Sequence, residues 1–251
     1  MISTRISRIV LAAVTLPAAL GLAACGDKTP DQPPTGEPIA KIAPPAGKVW
    51  NEVVTKTDEG GYLMGNPEAP IKLVEYGALS CSHCAEFAKE AVDKLRDDYV
   101  ASGRVSYELR LFMLNAFDVP ASLLTTCGAT EAVIPLAEQF WAWQPKMFEN
   151  LQAVGDARLQ QAASLPPAQR MVAISQLAGM TDFFAARGIA RDQATACLTD
   201  TAKADALAKQ TEAATTKYNV TGTPTFFIND APVGTADWKT LEPKLQAAGA
   251  R

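Results

Sequence analysis

Ile71-Lys72-Leu73-Val74-Glu75-Tyr76-Gly77-Ala78-Leu79-Ser80-Cys81-Ser82-His83-Cys84 joins a short apolar run to a pair of cysteines, and a helical pattern follows directly. The run from Ile71 to Tyr76 is bounded by Pro70 and Gly77, which suits a buried strand. Beyond the cysteines, Phe87, Ala88, Ala91, Val92, Leu95 and Tyr99 recur at three and four residues, and Gly103 supplies a stop. A helix with one apolar face is predicted from about Cys84 to Val100. Cysteines placed where a strand ends and a helix begins carry more meaning than their spacing alone. Unpaired N–H groups and the positive end of the helix dipole lower a thiol's pKa there, which makes Cys81 the nucleophile, and a protonated His83 would add to the effect. With only Ser82 and His83 between the thiols, Cys84 reaches back to resolve the mixed disulfide formed by Cys81.

Two other readings of the pair remain. A structural zinc site needs four ligands, and the chain has one histidine and no second closely spaced cysteine pair. A structural disulfide between Cys81 and Cys84 would close so small a ring that it constrains little of the unfolded chain. No metal and no cofactor is therefore assigned.

Further along, Val105, Tyr107, Leu109, Leu111 and Met113 alternate with Ser106, Glu108 and Arg110, a second strand. From about Asn115 to Lys217 strand signals vanish, and breaks at Pro135, Pro145, Pro166-Pro167 and Gly188 divide an Ala- and Leu-rich stretch into several helices. Phe140, Trp141, Trp143 and Phe148 in this stretch read as core, and no site is assigned to them. Tyr218 to Thr235 returns to strand character, with Asn229-Asp230 as the turn of a hairpin, and Trp238 to Ala248 closes as a helix. The fold class is α/β, a mixed domain interrupted by an all-helical insertion.

Glu75-Tyr76, Cys81-Ser82-His83-Cys84, the long helical insertion and Val220-Thr221-Gly222-Thr223-Pro224-Thr225-Phe226 together resemble the DsbA-type branch of the thioredoxin superfamily, from roughly Gly60 to the C-terminus. The resemblance implies a thioredoxin-like fold with a DsbA-like helical insertion and protein disulfide oxidoreductase activity. It places a cis-proline at Pro224 beside the cysteines and gives Thr223 the substrate-binding backbone, a geometry available at low cost only before proline. Glu75 matches the family's buried acid beneath the dithiol, where it relays protons as Cys84 changes state; a solvated strand residue is the alternative. Ser82 stands where the best-known members carry proline, and that dipeptide helps to set the redox potential. The direction of electron flow is thus less determined than the chemistry.

Toward the N-terminus, Arg5 and Arg8 precede an apolar stretch from Ile9 to Leu22, an export signal. Leu22-Ala23-Ala24-Cys25 resembles a bacterial lipobox, which would make Cys25 the lipid-modified first residue of the mature protein. An ordinary signal peptide with Cys25 left free is the other reading. The expected organisation is a lipoprotein signal peptide at 1–24, a Pro-rich tether at 25–48, the thioredoxin-like domain at 49–114 and 216–251, and the helical insertion at 115–215. If Cys25 is lipidated and Cys81 pairs with Cys84, the five cysteines leave Cys127 and Cys197, expected to bond in an oxidising compartment or else to stand as separate buried thiols.

The net charge of −4 argues against nucleic acid as a partner. The expected setting is the periplasmic side of a bacterial membrane, lipid-anchored. There a monomer would act on exported proteins with free thiols and be served by a membrane redox partner. A reductase or isomerase of the same fold and a non-catalytic peptide-binding lipoprotein are the competing functions.

Overall fold

Alternation along two neighbouring strands, β3 (Ile71–Gly77) and β4 (Val105–Leu111), sends residues to opposite faces of one sheet. Leu73, Glu75, Tyr107 and Leu109 take one face, and Val74, Tyr76, Glu108 and Arg110 take the other. The computed structural model describes residues 36–251, so the export signal and Cys25 lie outside the described residues. β3 and β4 run parallel, joined by the crossover helix α1 (Ser82–Lys94), whose apolar positions Phe87, Ala88 and Ala91 bury against the first face. A π-helical segment, Leu95–Val100, continues α1 to the end predicted from the spacing.

The sheet is completed by two hairpins. β1 (Val54–Lys56) and β2 (Tyr62–Met64) add antiparallel to β4, and β5 (Thr225–Ile228) and β6 (Ala231–Gly234) add antiparallel to β3, giving the order β1-β2-β4-β3-β5-β6. Asn229 and Asp230 turn the second hairpin with φ of 49° and 64°, a region these two residue types tolerate. The first hairpin was not predicted, because three-residue strands are too short to show a period.

Between β4 and β5 lie α2 (Asp118–Thr125), α3 (Val133–Val154), α4 (Asp156–Ala163), α5 (Pro167–Leu177), α6 (Met180–Ala185), α7 (Arg191–Leu198) and α8 (Thr201–Tyr218). Strand character was expected from Tyr218, but α8 runs through it and closes on Asn219 in the left-handed conformation, φ 54°. Phe140, Phe183 and Phe184 form the aromatic centre of the insertion, with Phe140 and Phe184 stacked at 5.6 Å, whereas Phe148 is 40% exposed and outside that core. Cys127, just after α2, is bonded to Cys197 of α7. The closing helix α9 (Trp238–Ala247) buries Leu241 and Leu245 beside α1.

Residues 36–48, the described part of the segment read as a tether, lie along the domain. The Gly36 and Ile39 N–H groups donate to the carbonyls of Ala247 (2.6 Å) and Gly249 (2.9 Å) at the end of α9, and Ile42 N–H donates to Ser102 O. The Trp50 indole fixes the same strap by donating to Ile42 O at 2.8 Å. Proline-rich composition predicts an extended backbone, and an extended backbone offers N–H groups to the carbonyls that a helix C-terminus leaves unpaired.

Candidate active site

β3 delivers its chain to the start of α1 through Ala78–Ser80, and three insertion side chains hold that approach. Trp141 of α3 donates its indole N–H to Ala78 O at 3.0 Å, and Gln144 donates Nε2 to Leu79 O at 2.7 Å and Cys81 O at 3.0 Å. Asp118 accepts from the Ser80 N–H (2.8 Å) and hydroxyl (2.9 Å) and from the Leu114 and Asn115 N–H groups. None was given a role at the site from the sequence, where Trp141 reads as core. Asp118 opens a helix, a faint signal, while Gln144 and Trp141 carry none, because their partners lie more than sixty residues away.

Cys81 is the N-cap of α1 and its sulfur accepts the Cys84 N–H at 3.4 Å. Its pKa is lowered to about 5. Hydrogen bonding from the Cys84 side chain does most of this, with the Thr223 side chain and the backbone N–H groups of Cys84 and His83 adding to it against the opposing effect of burial. Cys84 is fully buried, and burial, its bond to Cys81 and the charges of Glu75 and Cys81 push its thiol well up. The two sulfurs are thus separated in acidity by position alone.

The Thr223–Pro224 peptide is cis, and the Cys81 thiol donates to Thr223 O at 3.2 Å. Thr223 Oγ1 is buried with no partner to the thiol form. The carbonyl thus serves the thiol and the hydroxyl is free to serve the thiolate.

Glu75 lies beneath, with no exposed surface, accepting from the Tyr107 hydroxyl at 2.7 Å through Oε2 while Oε1 has no partner. Burial raises its pKa to about 8, against the lowering effect of the Tyr107 hydroxyl. Ser82 is exposed at the first turn. His83 is exposed too, its Nδ1 3.2 Å from a Glu86 carboxylate oxygen. The part expected of a protonated His83 ring in stabilising Cys81 falls instead to the His83 backbone N–H, because the ring points along α1 toward solvent.

In the reduced protein, the rate of Cys81 alkylation by iodoacetamide should stay nearly flat from about pH 8 down to about pH 6 and halve near pH 5, where an ordinary thiol would fall tenfold per unit. A midpoint above about 7 would contradict the hydrogen-bonded thiolate. A folded-state pKa below the unfolded value means that Cys81 contributes stability to the reduced form that is full above the unfolded thiol's pKa and lost as pH falls through about 5.

A cysteine pair capping the first helix of a βαβ unit, with a cis X-Pro loop against the leading sulfur, defines a thioredoxin-type dithiol site. A thioredoxin family model matches residues 57–247. The chain belongs to the thioredoxin family, and its fold is DsbA-like. A structure from Novosphingobium aromaticivorans, described as a protein-disulfide isomerase, is 34% identical with a TM-score of 0.71, over 75% of this chain and 96% of that one. Wolbachia pipientis alpha-DsbA1 shares the fold at 21% identity and a TM-score of 0.59, over 74% of this chain and 90% of its own. A Rickettsia conorii protein, provisionally named as a protein-disulfide oxidoreductase, is 24% identical over 204 residues, 78% of this chain and 63% of its own length. This chain spans 60 to 66% of the length of three such Rickettsia relatives.

Proposed function

We propose that the chain is a protein thiol–disulfide oxidoreductase that donates a Cys81–Cys84 disulfide to exported proteins. The observation that carries this is the split in acidity, with Cys81 near 5 and Cys84 well above an ordinary thiol. A stabilised thiolate favours the reduced form of the enzyme and so makes its disulfide the stronger oxidant.

In the exchange, a client thiolate attacks Cys81 Sγ, the S–S bond breaks, and Cys84 leaves with the electron pair. A buried thiolate with a raised pKa takes up a proton, and Glu75, still protonated at neutral pH with its pKa raised to about 8, is the acid beneath it that supplies one and is left as the carboxylate whose charge keeps the Cys84 pKa up. A second client thiolate then attacks the client sulfur of the mixed disulfide, and Cys81 departs as its stable thiolate. The client leaves oxidised and the enzyme reduced, with Thr223 holding the client backbone beside Cys81.

A membrane redox partner reoxidises the pair, and Cys25 anchors a monomer by lipid on the periplasmic side of a bacterial membrane. The basic and apolar residues before Cys25 support that setting. Among the described residues no helix is long and apolar enough to cross a membrane.

Isomerisation is the second reading, favoured by the description of the Novosphingobium structure. Equilibration against glutathione separates the two. A potential near about −120 mV is expected for the oxidase, one near about −180 mV points to the isomerase, and one near about −270 mV rejects donation altogether.

A further inference from the structure

Around the C-terminal end of β4, a cleft of about 420 Å³ opens between α8 and the β1–β2 hairpin. Tyr62, Tyr76, Leu111 and Leu207 supply its apolar surface, and Lys56, Lys203 and Lys209 bring ammonium groups to it. None of these three lysines lies within ion-pair distance of a carboxylate among the described residues, in a chain whose net charge is −4. Lys203 is tied back by a hydrogen bond to Thr126 O at 2.6 Å, which holds its charge in a half-buried place. Burial and the nearby charge of Lys56 lower its pKa, against the smaller raising effect of Asp200.

Gln210, one helical face further along α8, adds a second kind of donor. Its Nε2 is buried and has no partner, and an unpaired buried N–H costs about 1–3 kcal/mol unless something accepts from it. Charges of the opposite sign are also present. Asp58 and Glu59 stand on the hairpin, but Glu59 reaches toward Arg110 at 3.9 Å, and Arg110 is already paired to Glu108 and bonded to Tyr76. Asp58 makes no ion pair among the described residues and Lys217 also lines the cleft with its Nζ over the Tyr218 ring at 5.0 Å, so the ammonium groups of Lys56, Lys203 and Lys209 still outnumber the one carboxylate left without a partner, with the Gln210 amide beside them.

We propose that this cleft binds a small organic phosphate, with the phosphate among Lys56, Lys203, Lys209 and the Gln210 amide and an apolar or aromatic body against Tyr62 and Leu207. A phosphate monoester brings nearly two charges and three acceptor oxygens, which a single carboxylate does not, and the cleft's volume lies in the range of small-molecule sites. The site is separate from the dithiol and does not depend on how that pair is used.

Titration calorimetry on the full chain, with phenyl phosphate as the soluble monoester and glycerophosphoglycerol as a lipid headgroup freed of its chains, tests this. Phenyl phosphate should bind, K56Q/K209Q should weaken it by at least about tenfold, and Q210L should weaken it further. Both lysines are exposed, so folding is preserved, and K239Q on α9 should change nothing. Glycerophosphoglycerol binding that needs the same lysines would make a headgroup the source, and its failure beside phenyl phosphate binding would make it a soluble metabolite. Absence of binding by both probes, or binding indifferent to K56Q/K209Q, overturns the site.

Discussion

Cys81→Ser should abolish disulfide transfer to a reduced, unfolded client, by at least about a thousandfold, because a nucleophile that acts as a unit with its partner leaves only residual catalysis when removed. The oxygen of serine neither forms the mixed disulfide nor inherits the acidity that the cap position confers on sulfur. Cys84→Ser should behave differently. Offered a client that carries a disulfide, Cys81 keeps its place at the helix start, attacks one client sulfur and releases the other as a thiolate, and the adduct accumulates because Cys84 is no longer there to attack the Cys81–client bond. Mass spectrometry of the client and of the trapped adduct reads the two results. An unchanged rate of client oxidation in Cys81→Ser removes the enzymatic reading. Loss of transfer with peptide binding retained removes the reading as a passive peptide-binding lipoprotein.

Cys127→Ala/Cys197→Ala should cost about 4 kcal/mol of unfolding free energy on the chain-entropy account, since the bond spans a sequence separation of 70 residues. For a domain of this size that corresponds to a fall in Tm of roughly 10 °C. The bond ties the end of α2 to α7, and α2 also carries Asp118, which holds Ser80 next to Cys81. The folded variant should nevertheless keep the Cys81 acidity, because Cys84, Thr223 and local N–H groups supply it. Denaturant unfolding measures the first effect and thiol alkylation the second. A loss below about 1 kcal/mol would show that the unfolded chain is already restricted in this region.

Much of the architecture was legible because its signals are local. The period of two in Val105 to Leu111, the period of three and four from Phe87 to Tyr99, and the Asn229-Asp230 turn each act within a few residues. The first hairpin was illegible because Val54–Lys56 and Tyr62–Met64 are each too short to display a period and are strands only by pairing with β4. The reach of α8 to Tyr218 was missed for a related reason. An aromatic residue has strand propensity, and the helix won because Tyr218 packs on Tyr76 and Phe227 across the sheet.

The candidate site divides along the same line. Cys81 and Cys84 at a strand-to-helix junction could be picked out from residue type and spacing, since helix position and side-chain chemistry are properties of a short segment, whereas the Thr223-Pro224 loop and Glu75 were reached through the resemblance to DsbA-type proteins. Of the groups that make Cys81 acidic, the backbone N–H groups of the helix start were legible, but the Cys84 thiol and Thr223 were not, and the His83 ring is turned to solvent. Residue order sets what each short segment is able to do. Folding alone decides what stands beside what, because hydrogen bonds and burial depend on distance in space, and here Trp141 and Gln144 reach the dithiol loop from sequence positions 63 to 65 residues away.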